Sequence, residues 1–309
     1  MIVRPRLSWF RLLFVWRGSV LRSIVPQLVV ILALSAAITA ARGRIFGLQV
    51  PLTIAPFTLL GVSLAIFLGF RNSASYDRFW EGRKLWGSLF IVSRSLARQV
   101  ISLVALPEGD ALVGEWVELL AAFTHALRHQ LRGSDPSADL RRLLPAEKSA
   151  RLLTARCPPA ILLVMLGQWV EQRKREQRYG EIVAVALDDN LGHLSEVLGG
   201  CERLATTPLP YPYSVMIHRT VYIYCFLLPF ALVDIVGWMT PLLSVFTAYT
   251  FMALEALAAE LAEPFGTSAH ALALVEMSQA VEDTLLETTG RRTRGSRAAS
   301  GSTGDYLHL

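Results

Sequence analysis

From Ile24 to Ala41 the chain carries no charged residue, and after a short loop containing Arg42 and Arg44 the same is true from Val50 to Phe70. A membrane-crossing helix needs about 20 mostly apolar residues, so these runs predict a hairpin of spans at 24–41 and 50–70. Two further apolar runs, 221–233 and 235–259, meet at Asp234 and predict a second pair. Pro229 and Pro241 fall within them, which neighbouring helices make tolerable by satisfying the freed carbonyls. Between the pairs the pattern changes. Trp116, Leu119, Leu120, Phe123 and Leu127, then Ile161, Leu162, Met165, Leu166 and Trp169, recur at helical spacing among charged residues. Breaks come at residues 107–109, 133–136 and 158–159, all rich in Pro or Gly. The reading is an all-α membrane protein: four transmembrane helices around a large helical cytoplasmic region over about 71–214, forming one domain over 1–287. From residue 288 onward Ser, Gly and Arg dominate, too polar to bury a core, and predict a disordered cytoplasmic tail to 309.

Charge fixes the expected orientation. Arg4, Arg6, Arg11, Arg17 and Arg22 alternate with Trp9, Phe10, Phe14 and Trp16 and include no acid, a mixture suited to a helix lying among lipid headgroups. After Phe70 come Arg71, Arg78, Arg83 and Lys84. These two basic flanks outweigh Arg42 and Arg44 under the positive-inside rule. Both termini are therefore expected in the cytoplasm, with the chain multi-pass in an inner, or plasma, membrane. Thr39-Ala40-Ala41 resembles a signal-peptidase site, but the basic lead-in is long and a second apolar run follows at once. A net charge of +5 on a chain that is 53% apolar suits an anionic lipid surface better than nucleic acid. The run from Gln172 to Arg178 reads as a solvated helix face, with a lipid or partner patch as the alternative.

The sequence offers little enzyme chemistry. Cys157, Cys201 and Cys225 lie far apart with no CxxC pairing, so neither a disulfide framework nor a zinc site is predicted. His125 and His129 stand at i, i+4, a spacing that can bind a metal, yet no HExxH glutamate lies between them. Phosphate loops, nucleophile elbows and dinucleotide fingerprints are absent. The expectation is no metal, no cofactor and no enzymatic activity. A membrane metal enzyme using the two histidines, and a secondary transporter using Asp234 or Glu255, are the rival classes. Snorkelling from the cytoplasmic end or an interhelical contact is the simpler reading of Glu255.

Within the second run, Val62, Ile66 and Phe70 follow one another at i, i+4 and i+8 and share a helix face. Gly61, Ser63, Ala65 and Gly69 leave small surfaces where helices approach closely. One helix cannot wall off water, but copies of it around a closed symmetry axis can. The three bulky residues would then stack as apolar rings that constrict a pore and gate it by dewetting. Packing of this face on other spans or on lipid is the competing reading.

The stretch from Leu68 through Gly69-Phe70-Arg71-Asn72-Ser73-Ala74-Ser75-Tyr76-Asp77-Arg78-Phe79-Trp80 to Glu81, with Arg83-Lys84-Leu85-Trp86-Gly87 after it, resembles the signature of bacterial bestrophin-like proteins. Asn190-Leu191, Cys201-Glu202-Arg203, His218-Arg219-Thr220 and Glu263-Pro264-Phe265-Gly266 extend the likeness to nearly everything except the tail. The resemblance implies a homopentamer of four-span subunits around one central pore, conducting monovalent ions and surrounded by lipid. It places Val62, Ile66 and Phe70 at the bestrophin neck. It also implies a cytoplasmic aperture at Ile182, with the register uncertain towards Glu181 or Val183 and a core isoleucine as the alternative. Bacterial members similar to this chain look like cation channels, which implies sodium-like ions here. Asp188, Asp189 and Asn190 would then give the vestibule a negative or polar lining, unless they cap or contact another helix. A chloride channel of the same fold is the alternative. In calcium-gated animal relatives a run of acids follows the Pro-Phe-Gly motif. Here Thr267, Ser268, Ala269 and His270 follow it, so no calcium gating through that segment is expected, because calcium needs six to eight oxygen ligands.

Overall fold

The structure is a computed structural model that describes residues 8–10, 15–16, 18–45, 48–49, 52–104, 106 and 110–290. Arg4, Arg6, Arg11, Phe14 and Arg17, the break at 107–109, and the expected tail beyond residue 290 lie outside them.

Helix α1 spans Leu21–Ala40. It leads through a turn, with Arg42 at φ 49° and Gly43 at φ 72°, into a minimal antiparallel ribbon, β1 (Arg44–Ile45) and β2 (Leu48–Gln49), paired Arg44 to Gln49 and Ile45 to Leu48. This ribbon is a small departure from the all-α expectation. Helix α2 then runs unbroken from Ile54 to Ser102, 49 residues and roughly 70 Å at the usual helical rise. The change from apolar to charged residues at Arg71 therefore changes the surroundings of the helix without ending it. Helices α3 (Ala111–Arg132), α4 (Ser137–Leu143), α5 (Ala146–Leu153), α6 (Pro158–Arg175) and α7 (Glu181–Thr206) follow. After them come α8 (Tyr211–Val236), a 3-10 turn (Gly237–Met239), α9 (Thr240–Leu261) and α10 (Leu274–Thr288).

Among the described residues three segments, not four, are long and apolar enough to cross a membrane: Leu21–Ala40, Ile54–Ser102 and Tyr211–Leu261. The expected third and fourth spans fall in the one segment Tyr211–Leu261, and Asp234 lies inside α8 rather than between two helices. The reversal falls three residues later at Gly237, whose φ of 52° and ψ of −122° suit a residue without a Cβ. Pro229 sits inside α8 without ending it.

The chain divides into two compact units. The first holds Arg4–Phe79 and Pro208–Glu263, and its core joins four helices. Ile24 and Ile31 of α1, Leu64 and Leu68 of α2, Ile217, Val221 and Cys225 of α8, and Ala248 and Met252 of α9 form one cluster. A smaller one gathers Phe57, Leu228 and Ala231. Gly61 is small for a reason inside the chain, since a Cβ there would lie 2.8 Å from the Tyr224 hydroxyl. α1 packs closely on α9 and α8, so the fold uses the segment that a signal peptidase would remove.

Among the described residues, the second unit holds Trp80–Thr207 and 264–290. Its centre is α3, capped at the start by the Asp110 carboxylate, which accepts from the Leu112 amide at 2.8 Å, and ended by Gly133 at φ 61°. Trp116, Leu119, Leu120, Phe123 and Leu127 are all buried, as the periodicity predicts. Trp116 packs on Trp169 of α6 with ring centroids 4.7 Å apart. Burying such side chains contributes about 1.5–3 kcal/mol each, which explains why the element with the densest apolar stripe lies at the centre.

Candidate functional site

Between Ile54 and Phe79, helix α2 is buried along one narrow line, Phe57, Leu64, Leu68, Arg71 and Ser75. The opposite side carries the predicted neck. Val62 is 55% exposed, Ile66 53% and Phe70 66%, and they are stacked at successive turns of one unbroken helix. A soluble surface rarely bares such a row of bulky apolar side chains without a partner. Gly69 and Ala65 are also exposed, and nothing lies within 4 Å of where a Gly69 Cβ would be.

The orientation of this face is held from behind. Immediately after Phe70, Arg71 turns to the buried side and its Nη1 donates to Glu255 Oε1 of α9 at 3.1 Å. His218 of α8 approaches the same carboxylate oxygen through Nδ1 at 3.4 Å. The Asn72 amide donates to the Leu68 and Leu254 carbonyls at 2.9 and 3.3 Å. Glu255, the ionisable residue of the last apolar stretch, is thus an interhelical partner, as the second of its simpler readings expects. With one face of α2 tied to α9 by a charge pair, the side bearing Phe70 cannot rotate inward without breaking that pair.

Ile182 lies in the first turn of α7 and is 87% exposed, so it is not a core isoleucine in this chain. The turn is fixed by Glu181, which accepts from Lys174 Nζ at 2.7 Å. That hydrogen bond and the charge of Lys174 lower the Glu181 pKa. Asp188 and Asp189 are exposed on the same helix. Asn190 is committed elsewhere: its amide donates to Gln99 Oε1 at 3.1 Å and to the Ala186 carbonyl at 3.2 Å. Within the run 172–178, Arg173 is buried, whereas Arg175 is exposed and pairs with Glu171 at 2.9 Å.

His125 and His129, the candidate metal pair, belong to an ion network that their spacing alone did not reveal. His125 Nε2 lies 2.7 Å from Glu282 Oε2, and His129 Nε2 lies 3.1 Å from Asp139 Oδ2. Arginines occupy the remaining lone pairs. Arg142 donates to both Glu282 oxygens at 2.5 and 2.8 Å, and Arg128 donates to Asp139 at 2.5 Å and to the Ser278 hydroxyl at 3.0 Å. Burial alone would raise the Glu282 pKa, but the hydrogen bonds from Arg142 and His125 outweigh it and hold the group at about 2. The His129 hydrogen bond, with the charges of His125 and Arg128, holds Asp139 well below the usual carboxylate range. Two arginines seated on these carboxylates oppose a cation, and the arrangement ties α3, α4 and α10 together.

The signature residues also acquire structural roles. Glu81 accepts from Arg203, and Glu202 accepts from the Gln130 amide at 2.6 Å. Gly82 admits the Pro-Phe-Gly segment, since a Cβ there would lie 3.1 Å from Pro264 and 3.2 Å from the Phe265 ring. Burial pushes the Cys201 thiol up to about 12, so it packs as an unreactive apolar group.

Three segments long and apolar enough to cross a membrane, in an otherwise helical chain, define the class as a helical membrane protein. Residues 1–287 match the family described as Bacterial/Fungal Bestrophin protein, and the chain belongs to that family. It is 50% identical over 97% of its length, and 98% of the relative's, to a protein of Ralstonia nicotianae named voltage-dependent anion channel-forming protein. It is 44% identical to YneE of Escherichia coli, which bears the same name, over 93% of each chain. Its fold matches the crystal structure of a bestrophin homologue from Klebsiella pneumoniae with a TM-score of 0.82 and 44% identity, covering 87% of this chain and 99% of that one.

Proposed function

We propose that this chain is one subunit of a five-fold ion channel in the inner membrane, and that Val62, Ile66 and Phe70 form its narrow neck. The observation that carries the reading is the exposed apolar row on α2, backed by the Arg71–Glu255 pair. Five copies around an axis would cover this row and turn it into three stacked rings that interrupt the water column. The two arms of the Tyr211–Leu261 segment, each long enough to cross a bilayer, would bring both termini to the cytoplasmic side. Ile182 serves as the inner aperture, and the exposed Asp188 and Asp189 face the vestibule, with Asn190 holding their helix to α2. The permeant species are small monovalent ions. The neck carries no charge to choose their sign, and the relatives' names favour anions such as chloride over the sodium-like cations that the family likeness implies. Calcium does not gate the channel through the segment after Gly266, which offers no acidic ligands.

The test is single-channel recording of purified protein in planar bilayers with asymmetric salt. Ile66→Ala and Phe70→Ala should widen the neck and raise unitary conductance severalfold, with no response to a calcium titration. Currents indifferent to both substitutions would remove the neck assignment, and saturating flux without unitary events would point to a carrier.

A further inference from the structure

Beyond Phe70 the exposed stripe of α2 does not stop. One helical turn on stands Ser73, and one more brings Asp77, both exposed. Seven residues are almost two full turns, so Asp77 lies within about 20° of Phe70 around the helix and about 10 Å further along it. The helix is unbroken between them, so no kink takes Asp77 off the stripe.

Among the described residues of α2, no cation stands one turn from this carboxylate. Ala74 and Ser73 precede it at i−3 and i−4, and Trp80 and Glu81 follow at i+3 and i+4, so no cation occupies a position from which a helix pairs charges. Glu81 is itself taken by Arg203. Of the neighbouring cations, Arg71 is turned inward onto Glu255 at 3.1 Å, and Arg78 Nε donates to the Ala262 carbonyl at 3.0 Å. Lys84 comes a further seven residues along, again about 10 Å. That separation is at or beyond the screening length of about 8 Å at physiological salt.

We infer that Asp77 is a selectivity-tuning residue, the first charged group an ion meets on the cytoplasmic side of the neck. This rests on the pore reading above. Five copies of the carboxylate around the axis would make a ring of negative charge at a mouth walled by low-dielectric protein, which concentrates cations and depletes anions locally. The neck sets width. Asp77 sets the ratio of cation to anion entry, lowering anion preference whatever the sign of the wild-type selectivity.

The experiment measures reversal potentials in planar bilayers under a potassium chloride gradient, first at low and then at high ionic strength. Asp77→Asn should raise the anion-to-cation permeability ratio by roughly tenfold, the low end of what a focused charge does to local ion concentration. Asp77→Lys should raise it further, Asp77→Glu should keep the wild-type value, and the differences should shrink in high salt. Should Asp77→Lys fail to assemble, Asp77→Cys treated with a cationic or an anionic methanethiosulfonate supplies the same charge changes on folded protein. Reversal potentials unchanged by Asn, Lys and thiol modification, in channels that still respond to Ile66→Ala, overturn the Asp77 assignment alone. Silence of the wild type and every variant despite intact oligomers overturns the pore reading and the Asp77 assignment together.

Discussion

The two compact units of this chain solve the problem of buried charge in opposite ways. The unit built on α3 concentrates it: His125, Arg128, His129, Asp139, Arg142 and Glu282 share one network. The apolar unit carries little of it. Along its helices the close contacts are between small and aliphatic groups, such as Gly61 against Tyr224 and Ala248 beside Val221, and its charge pairing gathers at Arg71, His218 and Glu255. In water a core can rely on removing apolar area from solvent, and ions then specify which helices meet. In lipid the surroundings are as apolar as the core, so close van der Waals fit has to specify the packing. The lesson is that a polar substitution and a size change should do their greatest damage in different units.

Arg142→Ala is the most severe way to press that contrast. It leaves the Glu282 carboxylate with much of its hydrogen bonding removed, and breaking one side of a buried pair costs about 3–5 kcal/mol. Thermal unfolding of the detergent-solubilised protein should shift down by many degrees, and an unchanged midpoint would show the network to be dispensable. The same network has an acid signature. Glu282 ionises at about 2 in the folded chain, below its ordinary value of 4.5, so its stabilisation is complete above that ordinary value and is lost as pH falls towards 2. Glu282→Gln should flatten this part of a stability profile against pH. A profile identical to wild type would remove Glu282 as its source.

A size change tests the other unit. Gly61→Val drives side-chain carbons into the Tyr224 hydroxyl, and overpacking of this kind costs about 1–3 kcal/mol. Because the clash is with one oxygen, Tyr224→Phe in the same chain should recover part of the loss, which a double-mutant cycle measures directly. Additive effects would place the strain elsewhere. At the small end, Arg175→Ala removes an exposed i,i+4 pair with Glu171. Its effect should not exceed about 0.5 kcal/mol, and a larger drop in the melting midpoint would mean that Arg175 has a partner in the assembled protein.

How much of this was legible beforehand depends on whether a property is local. The stripe through Trp116, Leu120, Phe123 and Leu127 announced α3 because helical period and burial coincide there. Val62, Ile66 and Phe70 were legible as a shared face for the same reason, and their exposure agrees with that geometry. What escaped were features set by distant residues. Nothing near His125 in the chain announces Glu282, 157 positions away, so two histidines at metal spacing looked like half a site when they were half a salt network. The turn at Gly237 was missed because Asp234, a charge inside an apolar run, is the stronger local signal, whereas only a backbone dihedral reveals that the glycine bears the reversal. The continuity of α2 was hidden similarly, because hydropathy reports the surroundings of a helix rather than its ends.

The tightness of that reversal has a bearing on biosynthesis. With only Gly237, Trp238 and Met239 between α8 and α9, there is no loop that could be threaded across a bilayer separately from its flanks. The paired arms would have to enter the membrane as one object, already hydrogen-bonded within each helix and led by the exposed Trp238 side chain.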